Sequence, residues 1–232
     1  PRRSQRVRHL LLLAGLTLGT WANAIYGGAV NYDDPWLVVH NPVLRPPRLA
    51  ALPAIWTDFS EGTRLALGAE FLPLRDLSVM LDFVSFGDDL RGHHLSNVLW
   101  YTLAVLLPSG VLKRILASPE RALAGAAIWA TMPVHTESVA WLASRKDVLS
   151  VALVFAAVLA SLSRRPTTGA WALAAMWAKS TAVVIPLWLA RARAPAASVV
   201  AALVAVGGAT LMAMKVGNNL GLFAAPYATS AG

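Results

Sequence analysis

The distribution of charge along the chain limits its fold more than any other feature. Apolar runs extend over about Leu10 to Val30, Leu95 to Leu112, Ala122 to Met132, Val148 to Leu162, Trp171 to Ala178, Thr181 to Ala190 and Ala196 to Met214. Basic clusters punctuate them. Arg2, Arg3, Arg6 and Arg8 precede the first run, and Lys113, Arg114 and Arg121 lie between the second and third. Arg164 and Arg165 follow the fourth, and Arg191 and Arg193 follow the sixth. If these clusters share one side of a membrane, 11 of the 12 acidic residues fall on the other side and Glu120 alone stays behind. That is the asymmetry of a multi-span protein obeying the positive-inside rule.

Composition agrees. Charged residues make up 14% of the chain, where soluble domains carry roughly 25%. The net charge of +8 does not imply a nucleic-acid partner, because the basic residues sit in inter-span clusters rather than on one patch. Cysteine is absent, which excludes disulfides and thiolate metal sites. The first run begins like a signal peptide, but it is long, holds Trp21 and Tyr26, and lacks a small-residue cleavage site. It is read as a retained helix. The expected fold is therefore all-α: a polytopic helix bundle of about seven spans, forming one membrane module over residues 1–232 with its amino end in the cytoplasm. The Ala-, Leu- and Arg-rich usage points to a bacterial inner membrane, with the functional face toward the periplasm.

Residues 31–92 form the longest polar stretch and are expected as the first extracytoplasmic loop. Pro42, Pro46, Pro47 and Pro53 break its first half. The second half, Glu70 to Phe86, is amphipathic. It fits a helix lying on the membrane surface or one packed on the bundle. On the same outer face the topology places Asp33-Asp34, His93-His94, His135-Thr136-Glu137, Arg145-Lys146-Asp147 and Lys179. Each cluster alone has an ordinary reading as a cap, a turn or an interface anchor. Together they offer a carboxylate that could act as a general base and cations that could hold a phosphate. Asp33, Asp34, His135 and Glu137 are also of the right types to bind a divalent ion, although no cofactor is required.

Several of these stretches carry a family resemblance. Asp33-Asp34 with Asn41-Pro42, Pro73-Leu74-Arg75-Asp76-Leu77-Ser78 with Asp82, and His94-Leu95-Ser96-Asn97 resemble the start of the GT-C fold glycosyltransferases. The greatest similarity is to the transmembrane and tetratricopeptide-repeat (TMTC-like) O-mannosyltransferases and their bacterial relatives. The most specific piece is Pro133-Val134-His135-Thr136-Glu137-Ser138-Val139-Ala140-Trp141, closing with Ser144-Arg145-Lys146-Asp147. Ala178-Lys179-Ser180 before Pro186 resembles the family's lysine-bearing segment. The likeness covers about Val30 to Leu189. The chain departs from the pattern at Leu72, where the family usually has Arg, and at Tyr101, where it often has His. The 232 residues contain no tetratricopeptide repeats.

The resemblance implies a polyprenyl-phosphate sugar as donor, mannose-like, and a protein or glycan hydroxyl as acceptor, Ser or Thr in a protein. Asp33 or Asp34 would take the acceptor proton, with Asp33 the preferred base and Asp34 its support. Arg145, Lys146 and Lys179 would hold the lipid phosphate, with His135, Glu137 and His94 shaping the pocket. Leu72 and the missing repeats fit an alternative, an inactive membrane subunit or scaffold of the same fold.

Overall fold

The computed structural model describes residues 2–185 and Lys215. The second half of the expected run from Thr181 to Ala190 and the whole of that from Ala196 to Met214 lie outside the described residues. Among the described residues the chain is helical and contains no strand.

Five main helices build the bundle. They are α1 (Arg2–Trp21), α5 (Leu90–Leu116), α6 (Pro119–Thr131), α8 (Arg145–Leu162) and α9 (Thr168–Ala178). Three short helices and one longer one connect them: α2 (Ala51–Trp56), α3 (Glu61–Ala66) and α7 (Thr136–Ala140), with α4 (Pro73–Phe86) as the longer.

Side-chain contacts fix the directions of the five. Gln5 Nε2 donates to Glu120 Oε1 at 3.0 Å, pairing the starts of α1 and α6. Trp21 Nε1 donates to the Ala130 carbonyl at 2.8 Å, pairing their ends. Helix α5 runs back against them, because Tyr101 in its first half meets Trp21 edge-on at a centroid distance of 5.6 Å. Arg114 near its end reaches the Leu159 carbonyl and Ser163 Oγ at the end of α8. Helix α9 reverses again, as Ser150 Oγ donates to the Ala175 carbonyl at 3.3 Å. The five helices thus alternate in direction. Arg6, Lys113, Arg114 and Arg165 gather at one end, and the 31–92 stretch and residues 133–147 lie at the other.

The helices meet through small residues. Ala104, Ala126, Ala130 and Ala152 are buried between α1, α5, α6 and α8, and Ala157, Ala172, Ala175 and Ala178 between α8 and α9. Lipid supplies no hydrophobic drive between helices, so close backbone approach and dispersion must hold them together.

Two helices, Arg3–Tyr26 with its 3₁₀ extension and Leu90–Leu116, are long and apolar enough to cross a membrane by length and composition. A count of seven goes beyond this. With 13 residues, α6 is about 20 Å long, and α9 with 11 is about 16 Å, against a hydrocarbon core of roughly 30 Å. Helix α8 carries Arg145, Lys146 and Asp147 in its first turn, so its apolar length is short too.

The boundaries differ from the expected ones where polar residues join a helix. Helix α5 starts at Leu90, capped by Asp89 accepting from the Arg91 N–H. His93, His94, Ser96 and Asn97 therefore lie inside the helix instead of opening it. Helix α4 packs on the bundle through Val79, Met80 and Phe83, and it buries charged residues beside them. Arg75, Asp76, Ser78 and Asp82 are buried, while Leu81 and Val84 are exposed.

The native chain lacks cysteine, so single reporters give a clean test of sidedness. Ser60→Cys and Thr167→Cys, both at exposed positions, should react with an impermeant thiol reagent from opposite sides of a sealed vesicle. Labelling of both from the same side overturns the alternation.

Candidate functional site

Asp33 and Asp34 have different surroundings. A π-helical turn at Asp34–Val39 swings Asp34 inward until it is fully buried. Its Oδ2 accepts from the Val30 N–H and its Oδ1 from the Ala143 N–H, both at 2.8 Å. Asp33 is half-buried, and its carboxylate has no side-chain partner among the described residues. Beside it, Tyr32 leans on Trp141 at 6.0 Å between ring centroids. Asn41 fastens the other end of the turn. Its amide donates to the Leu37 and Ala66 carbonyls, and its Oδ1 accepts from the Val43 and Leu44 N–H groups.

The bond from Asp34 to Ala143 brings the first loop against the segment leading into Arg145. Arg145 is enclosed, 2% exposed. It pairs with Asp82 and with Asn97 Oδ1, and donates to the His93 carbonyl at 2.9 Å. Ser96 Oγ donates to the second Asp82 oxygen at 2.6 Å. Asn97 reaches the Trp141 carbonyl at 3.1 Å. His94 is buried within α5, its ring against Gly27. A β-carbon at Gly27 would fall 3.3 Å from both Cε1 and Nε2 of that ring. The expected Asp34 and Arg145 are thus brought together with Asp82, Ser96 and Asn97 as one buried polar knot, and His94 is buried beside it against Gly27.

Arg145 and His94 are both enclosed in this arrangement, 2% and 0% exposed. The void beside Arg145, Asp76 and Ala143 holds about 10 Å³, room for at most a single water.

Lys146 and Lys179 keep access to solvent, each with a partner. Lys146 Nζ lies 2.7 Å from Glu70 Oε2, and Lys179 pairs with Asp147. Glu70 also faces Arg75, which binds Asp76 and donates to the Leu67 carbonyl at 2.6 Å. Gly68 precedes this segment with a φ of +80°, in the left-handed region that favours glycine, and a β-carbon there would crowd Leu37 Cδ1 at 3.2 Å. His135 packs between Trp129 and Tyr101, with centroids at 4.5 and 5.3 Å. Burial holds its pKa below the ordinary imidazole value. Glu137 is exposed on α7. Among the described residues no three His, Asp or Glu side chains are grouped to hold a metal ion, so Asp33, Asp34, His135 and Glu137 do not form one set.

Asp82, Ser96 and Asn97 were not assigned a site role from sequence, and neither were Glu70, Arg75 and Asp147. The available signal was charge on the buried-looking side of α4: an Arg and two Asp among apolar residues cannot be buried without partners.

Burial pushes the Asp34 carboxyl above its ordinary 3.8, against the Val30 and Ala143 N–H groups and the nearby His94, which act to lower it. The folded chain therefore binds this proton at a higher pH than the unfolded chain. The stability this contributes is full below pH 3.8 and is lost as pH rises through the folded value. Asp76, also raised by burial, adds to the same slope. The Tm difference between wild type and Asp34→Asn, measured in detergent micelles, should therefore grow from about pH 7 toward about pH 4. A constant difference would show that Asp34 does not titrate in this way.

Comparison with known proteins adds a relationship. The chain is 35% identical over 200 residues to the Protein O-mannosyl-transferase Tmtc1 of Drosophila melanogaster, covering 79% of this chain and 23% of that protein. It is 32% identical over 155 residues to mouse Protein O-mannosyl-transferase TMTC1, covering 64% and 16% respectively. It is 25% identical over 168 residues to the Protein O-mannosyl-transferase F38B6.6 of Caenorhabditis elegans, covering 70% and 24%. No family model matches the chain, and no solved structure matches it. The chain spans less than a quarter of the length of these relatives. Over the greater part of its own length it is TMTC-like.

Proposed function

We propose that this chain forms the membrane-embedded sugar-transfer module of a GT-C-like protein O-mannosyltransferase. The donor is a mannose-like sugar on a polyprenyl phosphate, and the acceptor is a Ser or Thr hydroxyl on the face opposite the basic clusters. In the bacterial reading, that face is periplasmic. The observation that carries this is the contrast within one pair of carboxylates: Asp34 is fully buried and fastened at both oxygens, while Asp33 is half-buried and has no side-chain partner among the described residues. A base must be free to take a proton, and its backbone must be held.

In the reaction the acceptor oxygen attacks the anomeric carbon of the sugar. Its proton passes to Asp33 as the new glycosidic bond forms. The bond from the anomeric carbon to the phosphate oxygen breaks, and its electron pair leaves with the lipid phosphate. Lys146 and Lys179 then face the phosphate, provided that it displaces Glu70 and Asp147 from them. Arg145, Asp34 and His94 position the surrounding segments without touching substrate.

A second reading, an inactive subunit of the same fold, is favoured by one observation. Each cation expected to bind phosphate already has a carboxylate partner: Arg145 with Asp82, Lys146 with Glu70 and Lys179 with Asp147. The two separate in a transfer assay. Reconstituted protein is given polyprenyl-phosphate mannose, labelled in the sugar, and a Ser/Thr-containing peptide. Label transferred to the peptide supports the enzyme. Donor binding without transfer supports the inactive subunit.

A further inference from the structure

A polar-rimmed space between these helices lies at the other end of the bundle from the knot. A cavity of about 560 Å³ opens between α1, α5 and α6, closed on one side by Leu159 of α8. Its walls are apolar, with Leu13, Leu106 and Leu123 among them, and its rim holds Arg6, His9, Lys113 and Arg114. A second space of about 440 Å³ shares Arg6, His9 and Lys113 and continues outward past Gln5.

Glu120 lies near His9, but two cations of the rim have no counter-ion among the described residues. Arg114 is committed to Leu159 and Ser163. Arg6 and Lys113 are exposed and have no ion-pair partner among the described residues. Glu120 is the acid at this end, and it accepts hydrogen bonds from Gln5 and Ser118 instead. The depth also fits. Twenty residues of α5 separate His93 from Lys113, about 30 Å along the helix axis, which is the thickness of a hydrocarbon core. If the knot lies at one membrane surface, Lys113 lies at the other. The outward side of α1 is apolar here, with Leu11, Leu12 and Leu16 exposed.

We infer that this cleft holds an anionic phospholipid of the leaflet opposite the proposed transfer site. Its phosphate lies on Arg6, His9 and Lys113, and one acyl chain lies between α1 and α5 against Leu10 and Leu106. A basic pocket between helices at a membrane surface selects anionic head groups. A free anion would use the rim and leave the apolar slot unfilled. The inference rests on the membrane reading of the helices, not on Asp33 or on any transfer activity.

The full chain is purified in detergent, and native mass spectrometry with thermal unfolding reads its response to added phosphatidylglycerol or to phosphatidylcholine of the same acyl chains. Phosphatidylglycerol should be retained and should raise Tm, and phosphatidylcholine should do less of both. Each basic residue near a membrane surface contributes a factor of about five, so Arg6→Gln/Lys113→Gln should weaken phosphatidylglycerol retention about 20- to 30-fold. Its Tm in phosphatidylcholine should match that of wild type, which reports an intact fold. Leu103→Trp, made at an exposed position lining the slot, should also weaken retention, because the ring occupies the place of the chain. Equal response to both lipids, or undiminished selectivity in the double variant, overturns the inference. So does an equal Tm rise with inorganic phosphate, which would identify a free-anion site.

Discussion

Asp33→Asn is expected to lower sugar transfer by about 10²- to 10⁴-fold, the span that general-base catalysis typically contributes. Donor binding should change little, because the amide keeps the shape of the side chain and the cations are untouched. Structural damage should be slight, since the Asp33 carboxylate holds no other side chain among the described residues. The measurement is single-turnover transfer from polyprenyl-phosphate mannose, with donor affinity determined separately on the same protein. Asp34→Asn is a useful contrast. Asn has one acceptor oxygen where Asp34 uses two, so one backbone N–H is left facing an NH₂ group, at a cost of about 1–3 kcal/mol. Its loss should therefore appear in stability as well as in rate. Full transfer by Asp33→Asn would remove this carboxylate from the mechanism.

Arg145→Met is expected to be the most destabilising single substitution in the chain. It leaves Asp82 buried without its cation, and breaking a buried pair from one side costs about 3–5 kcal/mol. The pairing with Asn97 and the bond to the His93 carbonyl disappear with it. Asp82→Asn/Arg145→Met should recover part of the loss, because a neutral amide near Ser96 is cheaper to bury than an unpaired carboxylate. Reversible denaturation in mixed micelles would measure both variants. If Arg145→Met were as stable as wild type, the ion pair would not be what holds α4, α5 and α8 together. A variant that keeps its stability but loses donor affinity would return Arg145 to the role of phosphate ligand.

The helices were legible in sequence because apolar length and basic punctuation are local signals. Their alternation was legible too, from the clusters at Arg6, Lys113 and Arg164. What each charge does was not legible in the same way. Arg145, Lys146 and Lys179 look alike as cations at helix ends, yet Arg145 is sealed inside and the others stay half open. The difference lies in Asp82, Glu70 and Asp147, which are 63, 76 and 32 residues away from their respective partners. No periodicity encodes such a pairing. Helix α4 shows the same limit. Its amphipathic pattern fitted either a membrane-surface helix or one docked on the bundle. It docks with Asp76 and Asp82 buried beside Val79, Met80 and Phe83, and turns Leu81 and Val84 outward. The inequality of Asp33 and Asp34 could be expected from backbone direction alone. That the inward one would be tied to Ala143 could not.

The long sequence separations within the knot also set a schedule for its synthesis. Asp34 and Ala143 are 109 residues apart, which at 5–20 residues per second is on the order of ten seconds of translation. Until Ala143 and Arg145 emerge, Asp34 has only the Val30 N–H and Asp82 only Ser96 of the partners they hold in the folded chain. The nascent chain must therefore keep two carboxylates hydrated, or held by the insertion machinery, until α8 emerges and supplies Arg145. Ribosome-bound chains halted before residue 140 should accordingly be more open to protease at the 31–92 stretch than chains halted after α8 has cleared the exit tunnel.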